Sequence, residues 1–279
     1  MSQAACITTS WDDGHPLDLR VAELLTKHGL QGTFYVPRVS ERSTLAAAQI
    51  RQLSSSFELG AHTLHHVDLT RAQDATATAE IVKSKPWLED VTGQPCVMFC
   101  PPLGRYEQRH MPIVRAAGYL GMRTVELLSL DWPRLRSGLH IMPTTIQAYP
   151  HRAMAYTRNA IRRGAFHNLW LYILHGQSGG WDAMAESLAM RMLRNGGVFH
   201  LWGHSWELEE TGQWQRLEKV LEMLSHLKEL APSVSNGQAC LEAQKCQAKA
   251  HPDSSPAIKA PPVAAPIQPA GSSEGSGDQ

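Results

Sequence analysis

Strand-like and helix-like segments alternate along residues 5–202, and this alternation constrains the fold more than any other feature of the chain. Residues 5–10 read as a strand and residues 16–28 as a helix, with Leu17, Val21, Leu24 and Leu25 at helical spacing. Gly29 supplies a helix stop, and the β-branched and aromatic run GTFYV at residues 32–36 reads as the second strand. The pattern continues with helix 44–53, strand 57–61, helix 71–91, strand 97–100, helix 107–117, strand 119–123 and helix 152–163. Strand 169–174, helix 182–194, strand 197–202 and helix 210–230 complete it. Such alternation implies an α/β fold with a parallel sheet of about seven strands, wound into a barrel or left open. Chemistry in these folds gathers beyond the carboxyl ends of the strands.

Composition narrows the partners. Lys plus Arg and Asp plus Glu both number 26, so no basic excess draws the chain to phosphate backbones or anionic lipid, and nucleic acid is not an expected partner. No run of about 18 apolar residues occurs, so no membrane span is expected. The five cysteines form no CxxC pair, which argues against a disulfide framework or a thiolate zinc knuckle. The opening MSQAACITTS has neither a basic start nor an apolar core, and a cytoplasmic address is the expectation. After residue 230 aromatic residues cease while Pro, Ala, Ser and Gly accumulate. The expected division is therefore a folded domain over residues 1–230 and a disordered tail over 231–279. The oligomeric state is left open.

Two clusters follow strands directly. Trp11-Asp12-Asp13-Gly14-His15 comes after the first. Adjacent acids on a turn of this composition serve as a helix cap, but they also divide labour when one binds a cation and the other stays free as a base. After the third strand comes His62-Thr63-Leu64-His65-His66. Four-residue spacing puts His62 and His66 on one face of a helical turn, within reach of one ion, and points His65 elsewhere. One Asp with two His is a three-ligand set that leaves a position open for water, as a catalytic zinc site requires.

These clusters resemble the first two motifs of the polysaccharide deacetylase family, the NodB-homology or carbohydrate esterase family 4 domain. The TFDDG motif stands here as Ser10-Trp11-Asp12-Asp13-Gly14, the H-[ST]-x-x-H motif as residues 62–66, and Gly32-Thr33-Phe34-Tyr35-Val36 looks like the family's second strand. The resemblance implies a distorted (β/α) barrel of the NodB-homology type. It implies Asp12 as catalytic base, and Asp13, His62 and His66 as ligands of a divalent metal, most often Zn²⁺. The third motif, RxPxG, is matched by Cys100-Pro101-Pro102-Leu103-Gly104, where Cys100 replaces the arginine that orients the catalytic Asp. Arg105 and Arg123 are candidates to take over, and a solvent-exposed ion pair is the expectation for both. Leu103 supplies the oxyanion N–H by the same analogy. Asp131-Trp132 is similar to the fourth motif, whose Asp tunes the catalytic His and whose Trp walls the acetyl pocket. Leu201-Trp202-Gly203-His204 matches the fifth, with Leu201 at the substrate and His204 as general acid; His175, at the end of another expected strand, is the weaker candidate for that acid. His200 is expected to be packed.

The implied chemistry is removal of an N-acetyl group from an amino sugar or glycan. A divalent ion polarises the carbonyl and lowers the pKa of its water, Asp12 takes the water's proton and His204 protonates the departing nitrogen. Two other readings compete. One is a deacetylase-like glycan-binding protein without turnover, motivated by Cys100. The other is a serine hydrolase built on Gly176-Gln177-Ser178-Gly179-Gly180, with Asp182 and His204 completing a triad. Trp206 and Glu207, just past His204, are further candidates to reach a bound sugar.

Overall fold

In the computed structural model, which describes residues 4–175 and 179–250, the first strand runs on to the acidic pair as β1 (Ala5–Asp12). It leads to α1 (Asp18–His28), which Gly29 closes in the left-handed conformation (φ 62°) with its N–H returned to the last turn. The unit repeats through β2 (Thr33–Val36), α2 (Ala47–Ser54), β3 (Glu58–Ala61), α3 (Asp74–Thr92), β4 (Met98–Phe99), α4 (His110–Ala116) and β5 (Gly121–Arg123). Every strand expected in this half is present.

The second half departs from expectation. Between β5 and the next helix lie three short strands that apolar patterning does not announce: β6 (Arg134–Arg136), β7 (Leu139–Met142) and β8 (Ile146–Gln147). Ser137 and Gly138, both at positive φ (51° and 76°), make the tight turn of the β6–β7 hairpin. After α5 (Ala153–Arg163), the segment expected as strand 169–174 is instead helix α6 (Leu169–His175). A short apolar run has no period that separates strand from helix, and β8 already fills the sheet position beside the last strand. Then come α7 (Trp181–Asn195), β9 (Gly197–Gly203), α8 (Ser205–Glu210) and α9 (Trp214–Leu227); α9 is the helix expected over 210–230, and the short α8 before it was not expected.

The strands form one curled, open sheet in the order β6-β7-β5-β4-β3-β2-β1-β9-β8. All neighbours are parallel except β6 and β7. The seven-stranded parallel barrel is thus corrected to a nine-stranded mixed half-barrel among the described residues.

Strand alternation gives the sheet two different faces. Ile7 and Trp11 of β1 point into the large apolar core with Val21 and Leu25 of α1 and Leu217 and Leu221 of α9. The alternate positions Cys6, Thr8, Ser10 and Asp12 face the inside of the curl, where Thr8 meets Asn236, Ser10 meets His200 and Asp12 meets Arg123. One end of this interior is filled by α10 (Asn236–Ala250), which moves the expected end of the fold well past residue 230. Ile7 N–H donates to Pro232 O at 3.0 Å and Val234 N–H to Ile7 O at 2.9 Å, carrying the chain to the helix. Asn236 accepts from Thr8 Oγ1 (2.8 Å) and donates to the Tyr35 hydroxyl (2.9 Å), and Gly237 N–H donates to Glu58 (2.9 Å). Ala239, Cys240 and Ala243 are buried against Cys6, Tyr35, Met98 and Met142. Small residues suit a helix inserted into a narrow space, which is why an aromatic-poor composition misleads here. No helix among the described residues is long and apolar enough to cross a membrane.

Candidate active site

The acidic pair divides because the chain leaves the sheet between its two members. Asp12 ends β1 on the inner face, whereas Asp13 (φ 78°) and Gly14 (φ 58°) take left-handed conformations that turn the backbone sharply. A side chain on Gly14 would meet Val36 Cγ1 at 2.8 Å, so the turn lies tight against β2. Asp13 is thereby aimed back over the end of the sheet, 6% exposed.

The histidine segment is an irregular loop, with positive φ at Thr63 (61°) and His66 (50°), and not the helical turn expected from the spacing. Its shape comes from α3: the Glu80 carboxylate accepts from Leu64 N–H (2.9 Å) and His65 N–H (2.8 Å) and bonds His65 Nδ1 (2.6 Å). His65 is thus drawn outward, while the rings of His62 and His66 lie 5.0 Å apart. His62 Nδ1–H donates to Cys100 O at 2.7 Å, which leaves Nε2 as the free lone pair.

Both imidazoles converge on Asp13. His62 Nε2 is 3.4 Å and His66 Nε2 3.0 Å from Asp13 Oδ1, and that buried oxygen accepts no hydrogen bond. A buried carboxylate oxygen with no donor, facing two ring nitrogens, fits a cation position. The Asp13, His62 and His66 ligand atoms all lie within 4.8 Å of one another; Asp12, His62 and Cys100 form a second such group that shares His62. The other Asp13 oxygen accepts from Trp206 Nε1 at 2.9 Å. Burial would raise the Asp13 pKa, but the approach of His62 and His66 and the charge of His204 outweigh it and hold the carboxyl well below the usual range.

Asp12 is gripped by Arg123. The two form a fully buried ion pair through Arg123 Nη2 and Asp12 Oδ1, and the guanidinium lies 5.1 Å from the Tyr35 ring centre and 4.9 Å from that of Trp202. The expected solvent-exposed pair is therefore corrected for Arg123; it holds for Arg105, which pairs with Asp68 at 2.7 Å on the rim. Register explains the substitution. β4 pairs with β5 through Met98–Gly121 and Phe99–Met122, and one further step sets Cys100 beside Arg123 on the same inner face. The arginine missing from position 100 stands one strand away.

His204 follows β9 and faces the same centre, its Nε2 3.9 Å from Asp13 Oδ2. Its Nδ1 bonds Glu207 Oε2 at 2.7 Å, one turn along in α8; Gln147 Nε2 donates to the same oxygen (2.7 Å) and Gln147 Oε1 bonds His151 Nε2 (2.6 Å). Burial opposes a charged His204, but Glu207 and Asp13 outweigh it and push its pKa up to about 9. His200, by contrast, is buried between Ser10 and the Pro143 carbonyl, with its pKa brought down to about 3 by burial and the nearby Arg123.

Three expected site residues lie elsewhere. Asp131 is exposed and pairs with Arg134, and Trp132 packs against the Cys6–Tyr35–Cys240 cluster at the far end of the interior. The cause is topological: Leu130 O accepts from Val198 N–H at the start of β9, whereas His204 follows its other end, roughly 20 Å away for seven extended residues. Glu207 holds His204 instead. Leu201 is fully buried on the helix side of β9, because alternation gives the inner face to His200 and Trp202. Leu103 remains at the cavity edge, 60% exposed and in the left-handed conformation (φ 58°). Of the serine-hydrolase residues, Ser178 lies outside the described residues, Asp182 pairs with Arg216 and His204 is held by Glu207. His175 ends a helix rather than a strand.

The acidic pair, His66 and His204 open into one cavity of about 520 Å³, walled by Leu103, Val125, Trp202 and Trp206 and by the α5 residues Ala155, Arg158, Asn159 and Arg162. Arg123 carries no local signal in the sequence beyond its place on an inner-facing strand position, and Glu207 is announced only by its three-residue spacing from His204.

Comparison with known proteins gives the same picture. The family profile for polysaccharide deacetylase matches residues 2–122. "Putative polysaccharide deacetylase YxkH" of Bacillus subtilis is 22% identical over 124 residues, covering 43% of this chain; the match spans less than half, 44%, of that relative's length. Among solved structures, a putative polysaccharide deacetylase from Mycobacterium smegmatis superposes with a TM-score of 0.65 at 15% identity, over 88% of this chain and 92% of the other. The chitin deacetylase of Colletotrichum lindemuthianum gives 0.54 at 14% identity, over 85% and 88%. The two motif clusters that meet at Asp13 both fall inside residues 2–122, the part of the chain that is similar to the polysaccharide deacetylase family, and the likeness of fold continues beyond them.

Proposed function

We propose that this chain is a hydrolase, dependent on a divalent metal and with zinc as its resident ion, that removes N-acetyl groups from an amino sugar or glycan. The observation that carries the reading is the buried, donor-free Asp13 Oδ1 facing His62 Nε2 and His66 Nε2 beside a second carboxylate that an arginine holds ready. Asp13, His62 and His66 would hold the ion; one oxygen and two nitrogen donors are a set that zinc accepts. When bound, it supplies Lewis-acid polarisation of a carbonyl and a lowered pKa for its water.

The chain's own residues divide the proton work. Arg123 occupies Asp12 Oδ1 and fixes the carboxylate, leaving Oδ2, whose nearby partner is the weak thiol donor of Cys100 at 4.0 Å, to take a proton from the attacking water. An amine leaves an acetamide only when protonated. His204, with Nδ1 held by Glu207, presents Nε2 toward the centre and keeps its proton at neutral pH, so it serves as the acid. The Leu103 N–H at the cavity edge serves the developing oxyanion, a contact of a kind worth about 3 kcal/mol of barrier. Trp202 and Trp206 shape the cavity and Trp206 also fixes Asp13. The glycan-binding alternative rested on the absent arginine, and Arg123 removes its basis.

The test is acetate release from a panel of N-acetylated amino sugars and oligomers, with metal content measured on the same purified sample. Wild type releases acetate, and Asp12→Asn keeps its metal while losing turnover. Unchanged turnover in Asp12→Asn, or no release by the metal-loaded protein from any member of the panel, contradicts the reading.

A further inference from the structure

Helix α5 divides into three faces. Tyr156 and Ala160, four residues apart, are buried and seat the helix on the fold. Met154 and Ile161 are exposed on the outside. The third face, Ala155, Arg158, Asn159 and Arg162, forms one wall of the cavity. Asn159 fixes this wall: its Nδ2 donates to Val125 O at 2.8 Å and its Oδ1 accepts from Leu127 N–H at 3.1 Å. The two arginines are spaced one helical turn apart about that anchor, and both line the cavity.

Nearly every other charge lining the cavity is matched. Asp12 has Arg123, Glu207 has His204, Arg105 has Asp68, and Arg42 pairs with Glu210 at 2.8 Å while lying 3.5 Å over the Trp206 ring. Asp13 faces the proposed cation. Glu41 is the remaining acid among the lining residues. Arg158 and Arg162 form no ion pair among the described residues. Like charges at this spacing repel along a helix, and nothing the wall itself contains offsets them. Two adjacent planar donors on a fixed wall match the geometry of a carboxylate or a phosphate.

We infer that Arg158 and Arg162 form a subsite for an oxyanion carried by the substrate, and that the preferred substrates are N-acyl amino sugars bearing a carboxylate or a phosphate. This rests on the deacetylase reading of the cavity for the identity of the sugar. The subsite itself is a matter of charge recognition and is tested apart from turnover.

The experiment measures binding of N-acetylglucosamine, its 6-phosphate and N-acetylmuramic acid to the full-length protein by calorimetry at low and high salt, with acetate release followed on the same samples. At least one anionic probe binds about tenfold or more tightly than the neutral sugar, the advantage expected of charge-assisted hydrogen bonds. The phosphate and carboxylate arms show which oxyanion the wall accepts. The advantage shrinks with salt, a readout that needs no variant. It disappears in the double variant Arg158→Gln/Arg162→Gln and survives Arg152→Gln, which removes a positive charge from the foot of the same helix outside the cavity. Equal affinity for all three probes, or a preference that persists in the double variant, overturns the inference. An intact anion preference with no acetate released from any probe supports the subsite and overturns the deacetylase reading alone.

Discussion

Arg123 and Asp12, 111 residues apart in sequence, form a fully buried ion pair on the inner face of the sheet. The pair places a cation beside a position that Cys100 leaves uncharged: Cys100 is the residue after β4, and the register of β4 on β5, carried one step further, meets Arg123. In the proposed mechanism the orienting arginine is set by where its guanidinium arrives and not by which strand carries it.

Removing that guanidinium leaves a carboxylate buried without its partner. Arg123→Gln is expected to lower stability by about 3–5 kcal/mol, measured by denaturant unfolding. In protein that remains folded, kcat falls far more than KM changes and metal content stays at the wild-type level. Wild-type kcat in Arg123→Gln contradicts the positioning role.

Glu207 holds up the pKa of His204, so its loss is read in the alkaline limb of the rate profile. An acid catalyst whose pKa is raised stays protonated to higher pH. Replacing Glu207 with Gln removes the main raising influence, and the alkaline limb of kcat/KM moves to lower pH. A limb that stays in place, or moves upward, shows that His204 is not the acid.

Asp18 opens α1, fully buried, with Ser205 Oγ donating to its Oδ1 at 2.6 Å and its other oxygen unpartnered. Burial raises its pKa well above the ordinary carboxylate value. The sign follows from linkage: with the folded pKa above the unfolded one, the stability it contributes is present at low pH and lost as pH rises through the folded value. Asp18→Asn should flatten that alkaline decline, seen as a smaller drop in unfolding free energy between acid and neutral pH. An identical decline in the variant contradicts the assignment.

Helix α10 is held by Asn236, which satisfies buried groups on β1 and β2. Asn236→Ala leaves the Thr8 and Tyr35 hydroxyls short of a partner and should cost about 2–3 kcal/mol. Gly237→Ala should be worse tolerated than an exposed Ala substitution, since its new methyl group would lie 2.1 Å from Glu58 Oε1. Wild-type unfolding midpoints in both variants show that α10 is not part of the cooperative fold.

The first half of the fold and the gathering of Asp13, His62 and His66 were readable because their signals are local. Apolar periodicity marks β1 to β5, and Asp12, Asp13, His62 and His66 sit in two short motifs directly after strands. The second half was less readable for physical reasons. β8 has two residues, too few for a pattern, while the apolar run at residues 169–174 is equally consistent with strand and helix. Arg123 was a candidate from the sequence, but its burial against Asp12 became visible only through the register of β4 on β5, and the displacement of Asp131 from His204 only through the pairing of Leu130 with the start of β9. Leu201 was misplaced by one residue of alternation, which exchanges core for cavity.

Metal stoichiometry decides whether Asp13, His62 and His66 share one cation. Protein purified without chelator and dialysed against zinc should retain about one ion per chain, as a three-ligand catalytic site holds. His66→Ala and Asp13→Asn should retain far less, and Asp12→Asn should match wild type. Equal metal content in wild type, His66→Ala and Asp13→Asn would show that these side chains do not share an ion.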